Sequence, residues 1–196
     1  GMRWIRRWAA EGTSARYEAC ARVLQAVPGT GINMAMEQVR QGLSERSTGL
    51  HGIGQGGLFG AHAAGQDGQP TAELLRFETL QGRLRLMIGK AWQAQPDNLL
   101  FLELALRANF QGANKLLIGL AFAEEVPVEQ RVKLLGLVQE FSNRSLLPKV
   151  YRVLKSDAAD AVKMAMLDVV AKYGQPQTTE ILLEEYPHWS GELRTK

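Results

Sequence analysis

The feature that most constrains this chain is a helix-turn-helix pattern that occurs twice in succession between Val126 and Pro187. Val128, Val132, Leu135, Val138 and Phe141 keep close to a 3.6-residue period, as do Ala158, Ala161, Val162, Ala165, Met166, Val169 and Tyr173. Each long helix is expected to end on an aromatic followed by a turn signal, Phe141-Ser142-Asn143 and then Tyr173-Gly174-Gln175. A shorter helix follows each turn, one with Leu147, Val150, Tyr151 and Leu154 on a face, the other with Leu182, Leu183 and Tyr186. The same order occurs once upstream, with Leu99, Leu102, Leu106 and Phe110, then Gln111-Gly112, then Leu116 to Phe122. The closing aromatics Phe110, Phe141 and Tyr173 recur about every 31 residues, a spacing proper to helical-repeat arrays.

Punctuation residues fall at the same period. Asp97, Pro127 and Asp157 are expected near the starts of the long helices, two as capping acids and one as a first-turn proline. Gly112, Asn143 and Gly174 stand where left-handed C-caps are expected, and Pro148 and Pro176 where short helices begin. Beyond Pro187, Ser190 and Glu192 read as the cap and first turn of one more helix, so the last repeat reads as truncated and the chain as a segment of a longer protein.

Upstream, Arg3 to Trp8 reads as a short helix with Trp4 and Trp8 on one face. It is either an Arg-aromatic platform for a partner or, as the expectation adopted here, an opening helix whose Trp pair packs on the next helix. Thr13 or Ser14 caps a helix from about Ala15 to Val27 that buries Tyr17, Cys20, Ala21 and Leu24. A partner helix is expected over about Ile32 to Leu43, offering Ile32, Met36, Val39 and Leu43. From Ser47 to Pro70 the chain turns Gly-rich with no apolar period, and reads as a long loop. That loop contains Gly52-Ile53-Gly54-Gln55-Gly56-Gly57, a literal G-x-G-x-x-G. Such a run binds a pyrophosphate only between a parallel strand and a helix, and here a helix and a polar turn precede it. His51 and His62 in the same loop read as polar loop residues rather than metal ligands, because carboxylates are scarce around them. Order resumes at Pro70-Thr71, with a helix through Leu74, Leu75, Phe77, Leu80 and Leu84 that runs on to Trp92.

The expected architecture is all-α, an α-α superhelix of antiparallel helix pairs with one long Gly-rich loop. It forms a single domain over residues 1–196, with N-terminal helices in 1–46, the loop in 47–70 and repeats in 71–196. Apolar and charged shares of 45% and 22% suit a folded chain. No apolar run approaches a membrane span, and Met2 to Arg7 has charge but no apolar stretch behind it. Gly1 before Met2 reads as a cloning remnant, so the natural start is left open. The single cysteine, Cys20, rules out an internal disulfide and reads as a small buried thiol. The net charge of +3 is spread along the chain and permits acidic partners without demanding them.

No triad, Walker or HExxH pattern is present, and Glu124-Glu125 and Glu184-Glu185 read as solvated helix ends. His188 follows Glu184 by four residues, but Pro187 intervenes and the pair reads as no metal site. No enzyme, cofactor or small-molecule substrate is expected. A repeat array offers surface instead: Lys115, Lys149, Arg152 and Lys155 form an expected basic strip beside acidic Glu180, Glu184 and Glu185, a candidate groove for a protein segment. The alternative is a nucleic-acid-binding α-solenoid, which needs a concave face dominated by Lys and Arg. Acids interleave with the bases here, which counts against it.

The pattern from Val126 to Pro187 resembles HEAT-type α-solenoid repeats, without the regular Asp and Arg ladder of the best-defined units. The chain also resembles the helical segment of large bacterial multidomain proteins described as membrane-bound dehydrogenases or haem-binding proteins. The likeness is carried by Ala9-Ala10-Glu11-Gly12-Thr13, by Cys20-Ala21-Arg22-Val23-Leu24 with Pro28, by Asp168-Val169-Val170-Ala171-Lys172-Tyr173, by Leu182-Leu183-Glu184-Glu185-Tyr186-Pro187 and by Leu193-Arg194. In that family the helical segment lies between a β-propeller and a c-type cytochrome domain. The resemblance implies an extracytoplasmic scaffold or linker between redox modules, with neighbouring domains or another protein as partner. No C-x-x-C-H occurs in this chain, so the haem chemistry of the family is not carried by these residues.

Overall fold

A computed structural model describes residues 2–54, 80, 82–174 and 176–195, whose regular elements are all helices, with no strand among the described residues. The helices are α1 (Arg3–Glu11), α2 (Ser14–Ala26), α3 (Ile32–Gly54), α4 (Gly82–Ala94), α5 (Leu99–Arg107), α6 (Ala113–Phe122), α7 (Val128–Phe141), α8 (Leu147–Leu154), α9 (Asp160–Tyr173), α10 (Pro176–Glu185) and α11 (Gly191–Arg194). Single 3-10 turns cover Gly29–Gly31, Arg144–Leu146 and Tyr186–His188. The chain divides into two compact units, Gly1–Gln111 and Gly112–Lys196. The boundary falls between α5 and α6, inside the first helix pair expected from the sequence.

In the first unit α1 lies on α3 and α2, α2 on α4, and α5 on α4 and α3. Ile5, Ala9, Tyr17, Cys20, Leu24, Met36, Val39, Leu43, Leu84, Ile88, Phe101 and Leu104 share one apolar cluster. Each such aliphatic side chain removed from water contributes about 1.5–3 kcal/mol. The α2 expectations hold, with Thr13 Oγ1 accepting from the Arg16 N–H at 3.3 Å. Helix α1 differs from expectation: Ile5 and Ala9 face the core, while Trp4 is 56% exposed and Trp8 only partly buried. The inner face is set by the small and aliphatic residues, because Ala9 lets α1 approach Gly42 of α3 more closely than an indole would allow. Helix α3 runs on to Gly54, past the Leu43 end expected, so Ser47 to Gly54 is helix where a loop was expected. The remainder of the expected loop, including Gln55-Gly56-Gly57 and His62, lies outside the described residues, as does the side chain of His51. Most of the expected helix from Leu74 also lies outside them; Leu80 is buried, and α4 begins at Gly82, whose φ is left-handed.

In the second unit α6 packs on α7, α7 on α9, and α9 on α8 and α11. Leu134, Leu135 and Val138 of α7 and Val162, Met166, Val169 and Val170 of α9 are buried, as are Leu147, Val150 and Leu154 of α8. Hydrogen bonds between successive helix pairs follow the sequence period. Gln139 Nε2 donates to the Asp168 carbonyl, 29 residues on, at 3.1 Å. The Tyr173 hydroxyl reaches the carbonyls of Ser142 and Gln139, 31 and 34 residues back, at 2.7 and 2.9 Å. Tyr151 and Thr178, 27 apart, share a 2.5 Å hydroxyl contact.

Element ends differ from expectation in detail. Asn98, not Asp97, caps α5, accepting from the Leu100 N–H at 3.0 Å. Helix α9 starts at Asp160 after an uncapped Ala159, so Asp157 is no cap. Asn109 and Gly112 are left-handed, the latter leading into α6, whereas Asn143 and Gly174 have negative φ. Asn143 instead accepts from the Ser145 N–H at 2.9 Å, stopping α7 by starting the next turn. Pro148 and Pro176 do sit in first turns, and Ser190 caps α11 with Glu192 in its first turn.

Cys20 is fully buried, its thiol 3.5 Å from the Ile5 carbonyl, and burial pushes its pKa up to about 11. A thiol whose folded pKa is raised above the ordinary 9.0 favours the folded state below pH 9, and this stabilisation is lost as pH rises through 11. Denaturation in urea at pH 8 and at pH 11 is expected to show an extra loss on the order of 2 kcal/mol in the parent relative to Cys20→Ala. Equal pH slopes for the two proteins would contradict that burial effect.

Candidate protein-binding surface

The expected strip lies on the second unit. Lys149 and Arg152 project from α8, Lys155 follows its last residue, Lys115 sits on α6, and Glu180 and Glu184 on α10. The amphipathic α8 buries Leu147, Val150 and Leu154, and this register turns Lys149 and Arg152 to water. The Tyr151–Thr178 bond, with Thr178 4% exposed, ties α8 to α10 beneath the charged rim.

The structure brings together only part of the strip. Lys155 Nζ donates to Glu184 at 2.7 Å and lies 3.7 Å from Glu185. The Lys155 ammonium holds the Glu184 carboxyl below its ordinary range, and Glu184 in turn raises Lys155. Both groups are solvent-exposed, so the pair orients side chains more than it stabilises the fold. Lys149 Nζ stands 6.0 Å from the Phe122 ring centre. Lys115, Arg152 and Glu180 are exposed and make no ion pair among the described residues. The surface is therefore mixed: three cations, Lys115, Lys149 and Arg152, with no ion pair among the described residues, and one lysine already neutralised by α10.

Sequence reasoning missed the apolar part of this face. Leu183 and Tyr186, expected on the buried side of the second short helix, are 68% and 47% exposed. The Tyr186 ring packs against Trp189 with centroids 6.2 Å apart, and the Arg194 guanidinium lies 5.7 Å from it. Tyr and Arg beside an exposed Leu resemble the composition of interface centres. Apolar spacing in the sequence marks a helix face but not what covers it, so no sequence signal separates these residues from core.

Among the described residues no group of three or more His, Cys, Asp or Glu is placed to hold a metal, and no helix is long and apolar enough to cross a membrane. Comparison with family models, with curated proteins and with solved structures finds no match to this chain.

Proposed function

We propose that this chain is a non-enzymatic structural and protein-interaction module: a HEAT-like α-solenoid segment that holds redox domains of a larger bacterial multidomain protein in register, outside the cytoplasm. The observation that carries the repeat reading is the hydrogen-bond period of the second unit, 27 to 34 residues between successive helix pairs. The redox setting and the compartment rest on the family resemblance of the five sequence stretches quoted above. The binding surface proposed is Lys115, Lys149, Arg152, Lys155, Glu180 and Glu184, with Leu183 and Tyr186 beside them. Its mixed charge suits a protein partner of alternating sign better than a phosphate backbone, which rewards uninterrupted cations.

The test uses the β-propeller and cytochrome domains expected to flank this segment. Lys149→Glu with Arg152→Glu is expected to weaken binding of one of them about tenfold or more at low salt, with the difference shrinking as salt screens it. Affinity unchanged at low salt would remove the strip from the proposal. A salt-sensitive shift of generic duplex DNA, abolished by the same pair, would favour the nucleic-acid alternative instead.

A further inference from the structure

A second surface, on the first unit, is built by the turn between α1 and α2. Gly12 adopts a left-handed φ of 65°, and its N–H closes α1 on the Trp8 carbonyl at 3.2 Å. This reversal returns the start of α2 to the end of α1, where Glu11 stands between two arginines. Arg7 Nε donates to Glu11 Oε1 at 3.1 Å, and Arg16 Nε lies 2.6 Å from Glu11 Oε2. One carboxylate thus pairs with both guanidiniums, with Arg7 by a hydrogen bond and with Arg16 by an ion pair. Their Nη ends have no hydrogen-bond partner among the described residues. Trp4, Arg7, Trp8, Glu11 and Arg16 line an open cleft of about 440 Å³. The two indoles stand 6.4 Å apart at 32°, with the Arg7 guanidinium 5.9 Å from the Trp4 ring.

We propose that this cleft binds a phosphate monoester attached to a flat ring, with the phosphate on the Nη groups of Arg7 and Arg16 and the ring against Trp4. Two guanidiniums set apart by one carboxylate leave the rim net positive, and paired forks of this kind match a dianion's oxygens bidentately. A bare anion leaves the exposed indole unused, and an uncharged ring leaves the guanidinium ends unused. Indole stacking tolerates any flat ring, so a free nucleotide and a phosphorylated aromatic side chain present the same chemistry.

Titration calorimetry on the whole chain separates these sources with four probes: adenosine 5′-monophosphate, phenyl phosphate, inorganic phosphate and adenosine. One or both ring-bearing phosphates are expected to saturate a single site at a Kd on the order of 0.1–1 mM, with inorganic phosphate and adenosine each about tenfold weaker or more. The tighter of the first two identifies the source, nucleotide or phosphorylated side chain. Trp4→Ala and Arg16→Gln, both at exposed positions, are each expected to cost about tenfold while far-ultraviolet dichroism stays unchanged. The proposal is overturned if neither ring-bearing phosphate saturates, if inorganic phosphate binds as tightly as they do, or if both variants retain the parent affinity.

Discussion

Gly42→Ala is expected to release α1 from the first unit. A Cβ added at Gly42 would stand 2.2 Å from the Arg6 carbonyl oxygen, 2.7 Å from Ala9 Cβ and 3.0 Å from the Ala10 nitrogen. Two of these three atoms belong to the α1 backbone, so no side-chain rotation relieves the clash, and the helix as a whole has to move. Overpacking of this kind costs about 1–3 kcal/mol, occasionally more. Here the cost extends to the burial of Ile5 and Ala9, both fully enclosed, which depends on the close approach. The thiol of Cys20 supplies the readout, because it contacts the Ile5 carbonyl and is closed to solvent while α1 is seated. Alkylation of Cys20 in native buffer is expected to accelerate in Gly42→Ala by a factor on the order of 10 to 100, following the stability lost. Gly136→Ala is the matched control: nothing lies within 4 Å of the added methyl, the site is exposed, and the change is expected to be neutral or stabilising by up to about 1 kcal/mol. Equal labelling rates in parent and Gly42→Ala would show that α1 does not depend on this crossing.

That glycine illustrates where sequence reading succeeds and where it stops. Apolar spacing located α2, α7, α8 and α9 and most of their buried residues, because burial of one helical face is a local periodic signal. Gly42, in the same terms, is only a weak helix former, and its role appears when α1 is laid across it. Trp4 was expected inside and lies outside for the complementary reason: bulk favours burial in general, but this crossing admits only small residues. Caps were legible to within a few residues. Asp97 and Asn98 have equal capping chemistry, and the direction of the backbone before Leu99 decides between them. The candidate strip was legible as a set of charges on short helices. Its neutralisation at Lys155 by Glu184, and the exposure of Leu183 and Tyr186, depend on how α8 and α10 are placed side by side. Periodicity carries no information on that.

The least legible part of the fold yields the other large effect. Arg107 is 1% exposed although it stands in an apolar helix, and a lone arginine in sequence reads as surface. Its Nε and Nη2 donate to one oxygen of Glu103 at 3.0 and 2.8 Å. Arg40, on α3, reaches both oxygens of the same carboxylate at 3.3 and 3.4 Å, and binds Glu37 at 2.8 and 2.6 Å. Four charges thus run from α3 to α5, half-buried at Glu37 and enclosed at Arg107. Removing one member of an enclosed pair leaves the other desolvated, which costs about 3–5 kcal/mol, more than the pair itself contributes. Arg107→Met is expected near the lower end, about 3 kcal/mol, because Arg40 still compensates Glu103. Adding Glu103→Leu is expected to recover most of the loss, since two apolar side chains of similar volume no longer leave a buried charge. Urea denaturation followed through the Trp92 environment, with Trp189 as reporter for the other unit, measures both. The outer end of the chain adds a pH signature. Arg40 holds the Glu37 carboxyl below its ordinary 4.5, so this contribution is present above that value and fades as pH falls below it. A loss under about 1 kcal/mol in Arg107→Met, or no recovery in the double variant, would mean that shape and not charge governs the α3–α5 contact.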